Sequence, residues 1–495
     1  MESASLLPVA FEVALLVGAL LLLLVAVVAE RKASVWGPLV GVTFLLSAVA
    51  GLWQWMDVAD NGGGLFFSSQ NFAIVRSPMV VMDEFSALAA MVLGTVGFVS
   101  FLGSWDLQSR LGKRGVEFSV LMLLGVAGLH MMTASPNLVV IFVGLETASI
   151  AFYILAGFTR KTRESDESAL KYFLLGSLAS ALFLYGTALT FAATGSLSIY
   201  GANSIRNFFA DQIVTDPGIL LVGLALMLVG LMFKTSAAPF HQWAPDVYQG
   251  APSGAVGLMA AGVKVAGFAA LARIFMGGMI SQVDIWAPIL AVVAALSMIV
   301  GTVMALVQDD VKRLLAYSGV AHAGYLLAAI VAGPEGLEAL WFYLATYAFM
   351  IVGAFTVVSI VNGPGAGPTP ISSLKGLASR SSETAWLMAI IMLGMSGMPF
   401  FAGFVGKVLA FVAVEEAGYL WLVVVGALTT VIGLVFYLRV VITMFSSETD
   451  DSAGVDSLEV SITSRFAVVI AAAVTLTFGV LPWPLLDFVR SAIPF

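Results

Sequence analysis

The stretch PSGAVGLMAAGVKVAGFAALARIFM, residues 252–276, decides the fold class. It is apolar over a length able to cross a bilayer, for which a helix needs roughly 20 residues. Yet it carries Lys264 at its middle. A charge at the bilayer centre costs roughly 2.5–3.5 kcal/mol even on the lenient insertion scale. Lys171, Lys234 and Lys407 also lie in or at the edge of apolar runs, and so does Glu146. A chain that keeps several such groups uses them, and moving protons or ions is the chemistry that calls for them.

The rest of the chain agrees. Of its 495 residues, 60% are hydrophobic and 11% charged, with a mean hydropathy of +1.02. A soluble domain is about 25% charged, and no soluble fold buries this much apolar sequence. The runs exceed the ~10-residue alternating segments of an outer-membrane barrel. The fold class is therefore an all-α polytopic membrane protein. The chain has no cysteine, which excludes disulfides, cysteine-ligated iron–sulfur clusters and thiolate catalysis by this chain. His130, His241 and His322 are scattered, which argues against a haem or zinc site. The net charge of −8 sits in loops and says nothing of nucleic acid. The first run, Leu6 to Ala29, has an acid, Glu2, before it and Glu30-Arg31-Lys32 after it, unlike a signal peptide, and reads as a retained helix.

Fourteen spans are expected, at 6–29, 35–55, 79–102, 116–134, 137–158, 168–193, 217–235, 252–276, 284–307, 312–332, 336–361, 384–414, 418–446 and 464–486. With the N-terminus outside, the inside loops hold Arg31, Lys32, Arg110, Lys113, Arg114, Arg160, Lys161, Arg163, Lys312, Arg313, Lys375 and Arg380. The outside loops hold Arg76, Arg206 and Arg490. Basic residues favour the inside, so both termini are expected outside. The segment 57–78, with Asn61-Gly62-Gly63-Gly64, reads as an outside loop or hairpin. Asn362-Gly363-Pro364-Gly365 opens an inside linker, and Ser446 to Glu459 reads as a solvated acidic linker.

A weak repeat runs through this pattern. Pro239-Phe240-His241 follows Lys234 at the seventh span, and Pro399-Phe400-Phe401 precedes Lys407 in the twelfth. The breaks are five spans apart, and an odd offset reverses direction across the membrane. Spans 4–8 and 9–13 are therefore expected to be inverted copies. Paired, proline-interrupted helices point to a transport pathway, because unpaired backbone at membrane depth survives only inside protein or beside a wet cavity. The expected divisions are 1–112, three N-terminal spans; 113–276, the first half; 277–447, the inverted second half; and 448–495, the linker and last span.

Glu146, Lys234, Lys264, His322 and Lys407 would then stand at similar depth, as a proton relay requires. At ~4 Å and an effective dielectric near 20, an ion pair is worth about 4 kcal/mol. Opening and closing a Glu146–Lys234 pair would be enough to load and unload a proton. A bland alternative stands beside each residue. An intramembrane lysine also serves in a structural ion pair or snorkels to the surface; Lys264 is deep for that, and Lys171 is shallow. His322 and His130 fit satisfied core positions, and His241 a hydrogen bond within the break. Arg273 and Arg439, near helix ends, read as interfacial anchors.

FKTSAAPFHQWAPDVYQGAP, residues 233–252, resembles the signature of the antiporter-like subunits of respiratory complex I, and its Asp-Val-Tyr-x-Gly-Ala-Pro ending is similar to the N-type subunit in particular. DVKRLLAYS, residues 310–318, followed by His322 and Gly324-Tyr325, is a second match, and Glu167 to Tyr172 a third. The resemblance covers spans 4–13 well and the first three by length and hydropathy. It implies a proton-translocating subunit of NADH:quinone oxidoreductase with fourteen helices and two inverted five-helix bundles. Glu146 resembles the glutamate of the fifth helix and Lys234 its lysine partner in the broken seventh. Lys264 resembles the central connecting lysine, His322 the histidine linking the halves, and Lys407 the lysine of the second broken helix. Lys171 matches a lysine that the N-type subunit carries on its sixth helix, and the resemblance adds it to the proton-relay set.

The resemblance also implies that this chain binds no cofactor of its own. NADH, FMN, iron–sulfur clusters and quinone belong to partner subunits. Its neighbours would be an M-type subunit, small membrane subunits and the lateral helix of an L-type subunit, in a bacterial inner membrane or an organellar one. The alternatives are a subunit of an Mrp-type cation/proton antiporter, the equivalent subunit of a membrane hydrogenase, and a membrane scaffold without transport.

Overall fold

A computed structural model describes residues 6–28, 33–67, 77–159, 163–201, 203–211, 218–363, 365–446 and 457–492. Arg31, Lys32, Arg76, Arg160, Lys161, Pro364 and most of the acidic 446–459 linker lie outside the described residues. The helices are α1 Ala10–Val28, α2 Ala33–Asn61, α3 Glu84–Arg110, α4 Lys113–Thr133, α5 Leu138–Ala156, α6 Arg163–Thr194, α7 Ile205–Asp211, α8 Gly218–Thr235, α9 Trp243–Gly250 and α10 Ser253–Leu271. They continue with α11 Val283–Leu306, α12 Val311–Val331, α13 Leu337–Asn362, α14 Leu377–Arg380, α15 Ser382–Ser396, α16 Ala402–Glu416, α17 Leu420–Phe445, α18 Ile462–Val480 and α19 Trp483–Ser491. Thirteen helices among the described residues are long and apolar enough to cross a membrane. The expected twelfth span is a broken pair, α15 and α16, each of 15 residues.

Helix starts are set by polar caps. The Asp83 side chain accepts from Ser86 N–H while Ser86 Oγ accepts from Asp83 N–H, a reciprocal box that starts α3 at Glu84. Asn137 caps α5 and Asp310 caps α12 in the same sense, each contribution being about 1 kcal/mol. The Asp83 box explains why the third span begins later than its hydropathy suggests. Residues Val80–Met82 form a strand, β2, paired antiparallel with β1, Gly64–Phe66. The two strands bracket the expected outside hairpin.

Lipid offers no hydrophobic drive for helix pairing, so small residues and polar links decide the packing. A Cβ added at Gly128 would lie 2.6 Å from Ala148 N, where α4 crosses α5. One added at Gly301 would lie 2.4 Å from Ala321 N, where α11 crosses α12. These crossings occupy equivalent places in the two expected repeats, and each sits beside a site residue, Glu146 or His322. At the centre, α10 is buried throughout and α12 at every position but Arg313. The outer faces of α1 and α17 expose Leu20, Leu24, Leu428 and Val431, as lipid-facing helices do.

Arg273 departs from the expectation of an interfacial anchor. α10 continues as a π-helix, Ala272–Gly278, that carries Arg273 inward and leaves it fully buried. Its guanidinium grips Asp83 in a two-bond fork of 2.9 and 2.6 Å, and its Nε donates to the Thr133 carbonyl. A guanidinium with a carboxylate in fork geometry is a partner for burial that a lone charge lacks. Arg439 does bond the exposed end of α11, through the Leu306 and Gln308 carbonyls.

Candidate functional site

The two breaks are built alike. At the end of α8, Ser236 N–H bonds the Phe233 carbonyl at 3.1 Å and Ala237 N–H the Met232 carbonyl at 2.9 Å, with Ser236 at φ +59°. At the end of α15, Gly397 N–H bonds Gly394 at 3.1 Å and Met398 N–H bonds Leu393 at 3.2 Å, with Gly397 at φ +84°. This is the paired bonding of a Schellman ending, closed by a residue in the left-handed region. Glycine takes that conformation freely, whereas a side chain there costs roughly 1–2 kcal/mol. The second break holds a side chain in that region too, at Phe400, φ +74°.

The bonding still leaves carbonyls at each helix end, where the dipole places about half a negative charge. A lysine meets each one. Lys264 Nζ donates to the Thr235 carbonyl at 2.7 Å, and Lys407 Nζ donates to the Ser396 carbonyl at 2.9 Å. Thr235 and Ser396 are the residues just before the left-handed position in each break. A Cβ at Gly267 would come 2.7 Å from Thr235 Cγ2, so the absence of a side chain there lets α10 approach the end of α8. The first break is tied to the second half as well, since Ala238 N–H donates to Ser297 Oγ of α11 at 2.9 Å.

Lys234 turns the other way, toward α5. Its Nζ donates to Ser149 Oγ at 2.5 Å and lies 3.5 Å from Tyr153 Oη. The expected Glu146–Lys234 ion pair is not formed. Glu146, Ser149 and Tyr153 are spaced i, i+3 and i+7 and so share one helix face. The Ser149 hydroxyl takes the lysine's bond one turn on from Glu146, whose buried Oε1 has no hydrogen-bond partner.

Beyond Lys264 the surroundings become aromatic. A Cβ at Gly319 would be 3.6 Å from Lys264 Cε and 3.3 Å from Tyr347 Oη, so this notch on α12 brings the lysine and the tyrosine together. Tyr347 Oη is buried without a hydrogen-bond partner, and its ring lies 4.8 Å from that of His322. His322 bonds Tyr343 Oη at 2.7 Å through Nδ1 and Tyr437 Oη at 3.0 Å through Nε2. Tyr437 Oη also meets Ser318 Oγ at 2.5 Å. Tyr325 then carries Lys407 over its ring, 4.6 Å from the centroid, a cation–π contact.

Lys171 stands apart from this set. Its ammonium bonds Asp246 at 2.6 Å and Glu167 at 2.7 Å. Asp246 also takes Arg313 at 2.6 Å. Asp246 lies in α9, beyond the spanning segment, beside the starts of α6 and α12. Burial alone would raise its carboxyl, but hydrogen bonds and charge from Lys171 and Arg313 hold it below the usual 3.8. His241 sits in the first break with its ring 6.1 Å from Tyr317, and its buried Nδ1 has no hydrogen-bond partner. The structure thus sets Lys264, His322 and Lys407 beside one cluster of buried tyrosines and turns Lys234 toward the helix of Glu146. Ser149, Tyr153, Tyr343, Tyr347, Tyr325 and Tyr437 join them. Helical spacing from Glu146 points to Ser149 and Tyr153, and from His322 to Tyr325; Tyr343, Tyr347 and Tyr437 lie on other helices and have no such signal.

Residues 135–433 match the family described as NADH:quinone oxidoreductase/Mrp antiporter, transmembrane. The NADH-quinone oxidoreductase subunit N 1 of Solibacter usitatus is 37% identical over 96% of this chain and 94% of its own length. The chain belongs to the NADH-quinone oxidoreductase subunit N family. The subunit N of Mycobacterium tuberculosis strain H37Rv is 39% identical over 85% of this chain and 77% of its own. Respiratory complex I from Thermus thermophilus contains a chain that superposes with a TM-score of 0.79 at 30% identity, covering 97% of this chain and 100% of that one. The Mrp complex of Dietzia sp. DQ12-45-1b contains one that shares the fold, with a TM-score of 0.84 at 20% identity over 100% of this chain and 97% of that one. As a member of the subunit N family the chain is an antiporter-like, proton-translocating membrane subunit of a multi-subunit complex.

Proposed function

We propose that Glu146, Lys234, Lys264, His322 and Lys407 form the proton relay of this subunit, driven by electron transfer from NADH to quinone in partner subunits. The observation that carries this reading is the row of buried polar groups: the Ser149–Lys234 bond, Lys264 at the Thr235 carbonyl, His322 between two tyrosines, and Lys407 over a third. Lysine and tyrosine supply protons that can be handed on, and the helix-end carbonyls hold an ammonium without a fixed counter-charge. Glu146, whose Oε1 is unbonded, is the acceptor that loads the Lys234 end. Lys171 belongs at the entrance, where Asp246 and Arg313 draw charge to the mouth of the first half. The relay joins two inverted halves, 113–276 and 277–447, the second completed by 448–495. NADH, FMN and iron–sulfur clusters reside in partners. The membrane neighbours are an M-type subunit, small membrane subunits and an L-type lateral helix. The complex sits in the cell inner membrane with both termini outside.

Donor-driven proton uptake in inside-out vesicles tests the relay, with Lys234→Ala and assembly checked on a native gel. Expected is an assembled complex in which pumping and donor oxidation fall together. Normal pumping by an assembled mutant would leave Lys234 as a structural hydrogen-bond donor and sink the relay. Activity that requires sodium would instead favour the Mrp-type antiporter reading.

A further inference from the structure

A second buried titratable pair lies away from the relay, where α1 begins and α4 ends. His130 Nδ1 and Glu12 Oε1 are 2.6 Å apart, with the histidine side chain 1% and the glutamate 12% accessible. Phe11 covers the imidazole, ring to ring at 4.3 Å. We propose that Glu12 and His130 form a proton-holding site at the end of the first half opposite its basic loops, through which protons are exchanged with the outside. The inference rests on the proton translocation proposed above and adds a site to it.

The geometry fixes where the exchangeable proton sits. His130 Nε2 is 3.2 Å from the Ser86 carbonyl, which can only accept, so Nε2 carries a hydrogen. The contact between Nδ1 and Oε1 then needs one proton between them, held as imidazolium with carboxylate or as imidazole with carboxylic acid. Losing that proton sets an imidazole lone pair against a carboxylate. The pair's charge goes from zero to −1, and the contact must open. Glu12 is the partner able to move, because its Oε2 is buried without a bond while part of the side chain reaches the surface.

The pair is also wired to the relay's central helix. Ser86, whose carbonyl holds His130, gives its N–H to Asp83. Asp83 pairs with Arg273, on the π-helical continuation of the Lys264 helix. Thr133 bonds the His130 carbonyl through Oγ1 and receives Arg273 Nε on its own carbonyl. Tyr200 adjoins Arg273 on the far side. Asp83, Arg273 and Tyr200 are thus the charged or titratable groups linked to the pair. Among the described residues, α2 and α5 place no charged side chain in hydrogen-bond contact with it. Asp83 and Arg273 neutralise each other, which leaves the shared proton of Glu12 and His130 as the mobile charge.

The test uses inside-out vesicles of the whole complex, whose lumen corresponds to the outside. The lumenal pH is varied over about two units around neutrality with external pH constant. The initial rate of donor-driven proton uptake is read for wild type, Glu12→Gln and His130→Gln. Glutamine keeps a hydrogen bond at either position but not the exchangeable proton. Expected is a wild-type rate that falls as the lumen acidifies, and variants that assemble, pump about threefold more slowly and have lost that response, which a purely structural role would leave in place. Wild-type rates with the wild-type lumenal response in either assembled variant would overturn the proposal. So would failure of both variants to assemble, since that marks the pair as structural. Normal pumping in Lys234→Ala would overturn the relay itself. Its loss there, with an unaltered lumenal response in Glu12→Gln, overturns this site alone.

Discussion

The two breaks end their helices in the same way but take their lysine from different places. At the first, the ammonium on the terminal carbonyl comes from Lys264 on a separate helix, which frees Lys234 to face α5. At the second, it comes from Lys407 on the continuation of the same helix. By position along the chain, Lys234 and Lys407 look like counterparts, each beside a Pro-Phe break. By hydrogen bond, the counterparts are Lys264 and Lys407. What the fold repeats is a demand of the backbone, a helix end at membrane depth whose carbonyl needs a donor, and the lysine that answers it is free to come from any helix in reach. The first break therefore has a cation to spare for the Glu146 end. The second has one cation and an aromatic network beside it.

That difference predicts unequal effects. Lys264→Met and Lys407→Met should both lower proton pumping at least about tenfold, a barrier change of roughly 1.4 kcal/mol or more. Their effects on stability should separate. Lys264 ties α10 to α8, so its loss removes a charged hydrogen bond between elements, a contribution of about 1.5–3 kcal/mol. Lys407 ties α16 to α15, which chain connection already holds close. Thermal unfolding of the assembled complex should fall further for Lys264→Met. Equal losses would mean that the two lysines are interchangeable caps and would dissolve the distinction.

Much of this is legible in the sequence. Lys264 in the middle of an apolar run announces a membrane protein with buried charge, and the Pro239-Phe240 and Pro399-Phe400 echo announces the breaks. Hydropathy located the spans because bilayer thickness imposes their length. The carbonyl caps were not visible, since a backbone acceptor has no letter in the sequence and Lys264 meets Thr235 only through folding. Arg273 departs from its sequence signal for a related reason. Nearness to a helix end suggests a surface anchor, but the π-helical turn and Asp83, 190 residues away, carry it into the core. Glu146 and Lys234 had the right depth for a pair, and the choice of Ser149 over Glu146 depends on rotamers one turn apart.

The aromatic network at the second half offers a smaller perturbation. Tyr437→Phe removes one phenol that bonds both His322 and Ser318. His322 keeps Tyr343 on its other nitrogen, so the ring stays placed and loses one partner, a change of about 1 kcal/mol. Pumping should drop a few-fold with assembly intact, well short of the loss in Lys407→Met. A loss as large as that of Lys407→Met would make Tyr437 an obligatory step between His322 and Lys407. No change would route the proton through Tyr343.

The smallest effect is expected at Asp246, which tethers the segment after the first break to α6 and α12. The second break lacks this tether, for the acids of α16, Glu415 and Glu416, lie at its far end. Lys171 and Arg313 hold the Asp246 carboxyl below its usual 3.8, against the opposing effect of burial. A carboxylate lowered on folding stabilises the fold above its unfolded value, and that contribution disappears as pH falls through the folded one. Asp246→Asn should therefore cost within about 1 kcal/mol near neutral pH, the range of solvent-screened pairs, and should narrow its gap to wild type as pH drops below about 4, near the ordinary carboxylate value. Thermal stability of the detergent-solubilised complex against pH reads this directly. A gap that stays constant into acid would mean that the carboxylate's charge does not hold the segment, and that packing of α9 against α6 and α12 is enough to fix the chain beyond the first break.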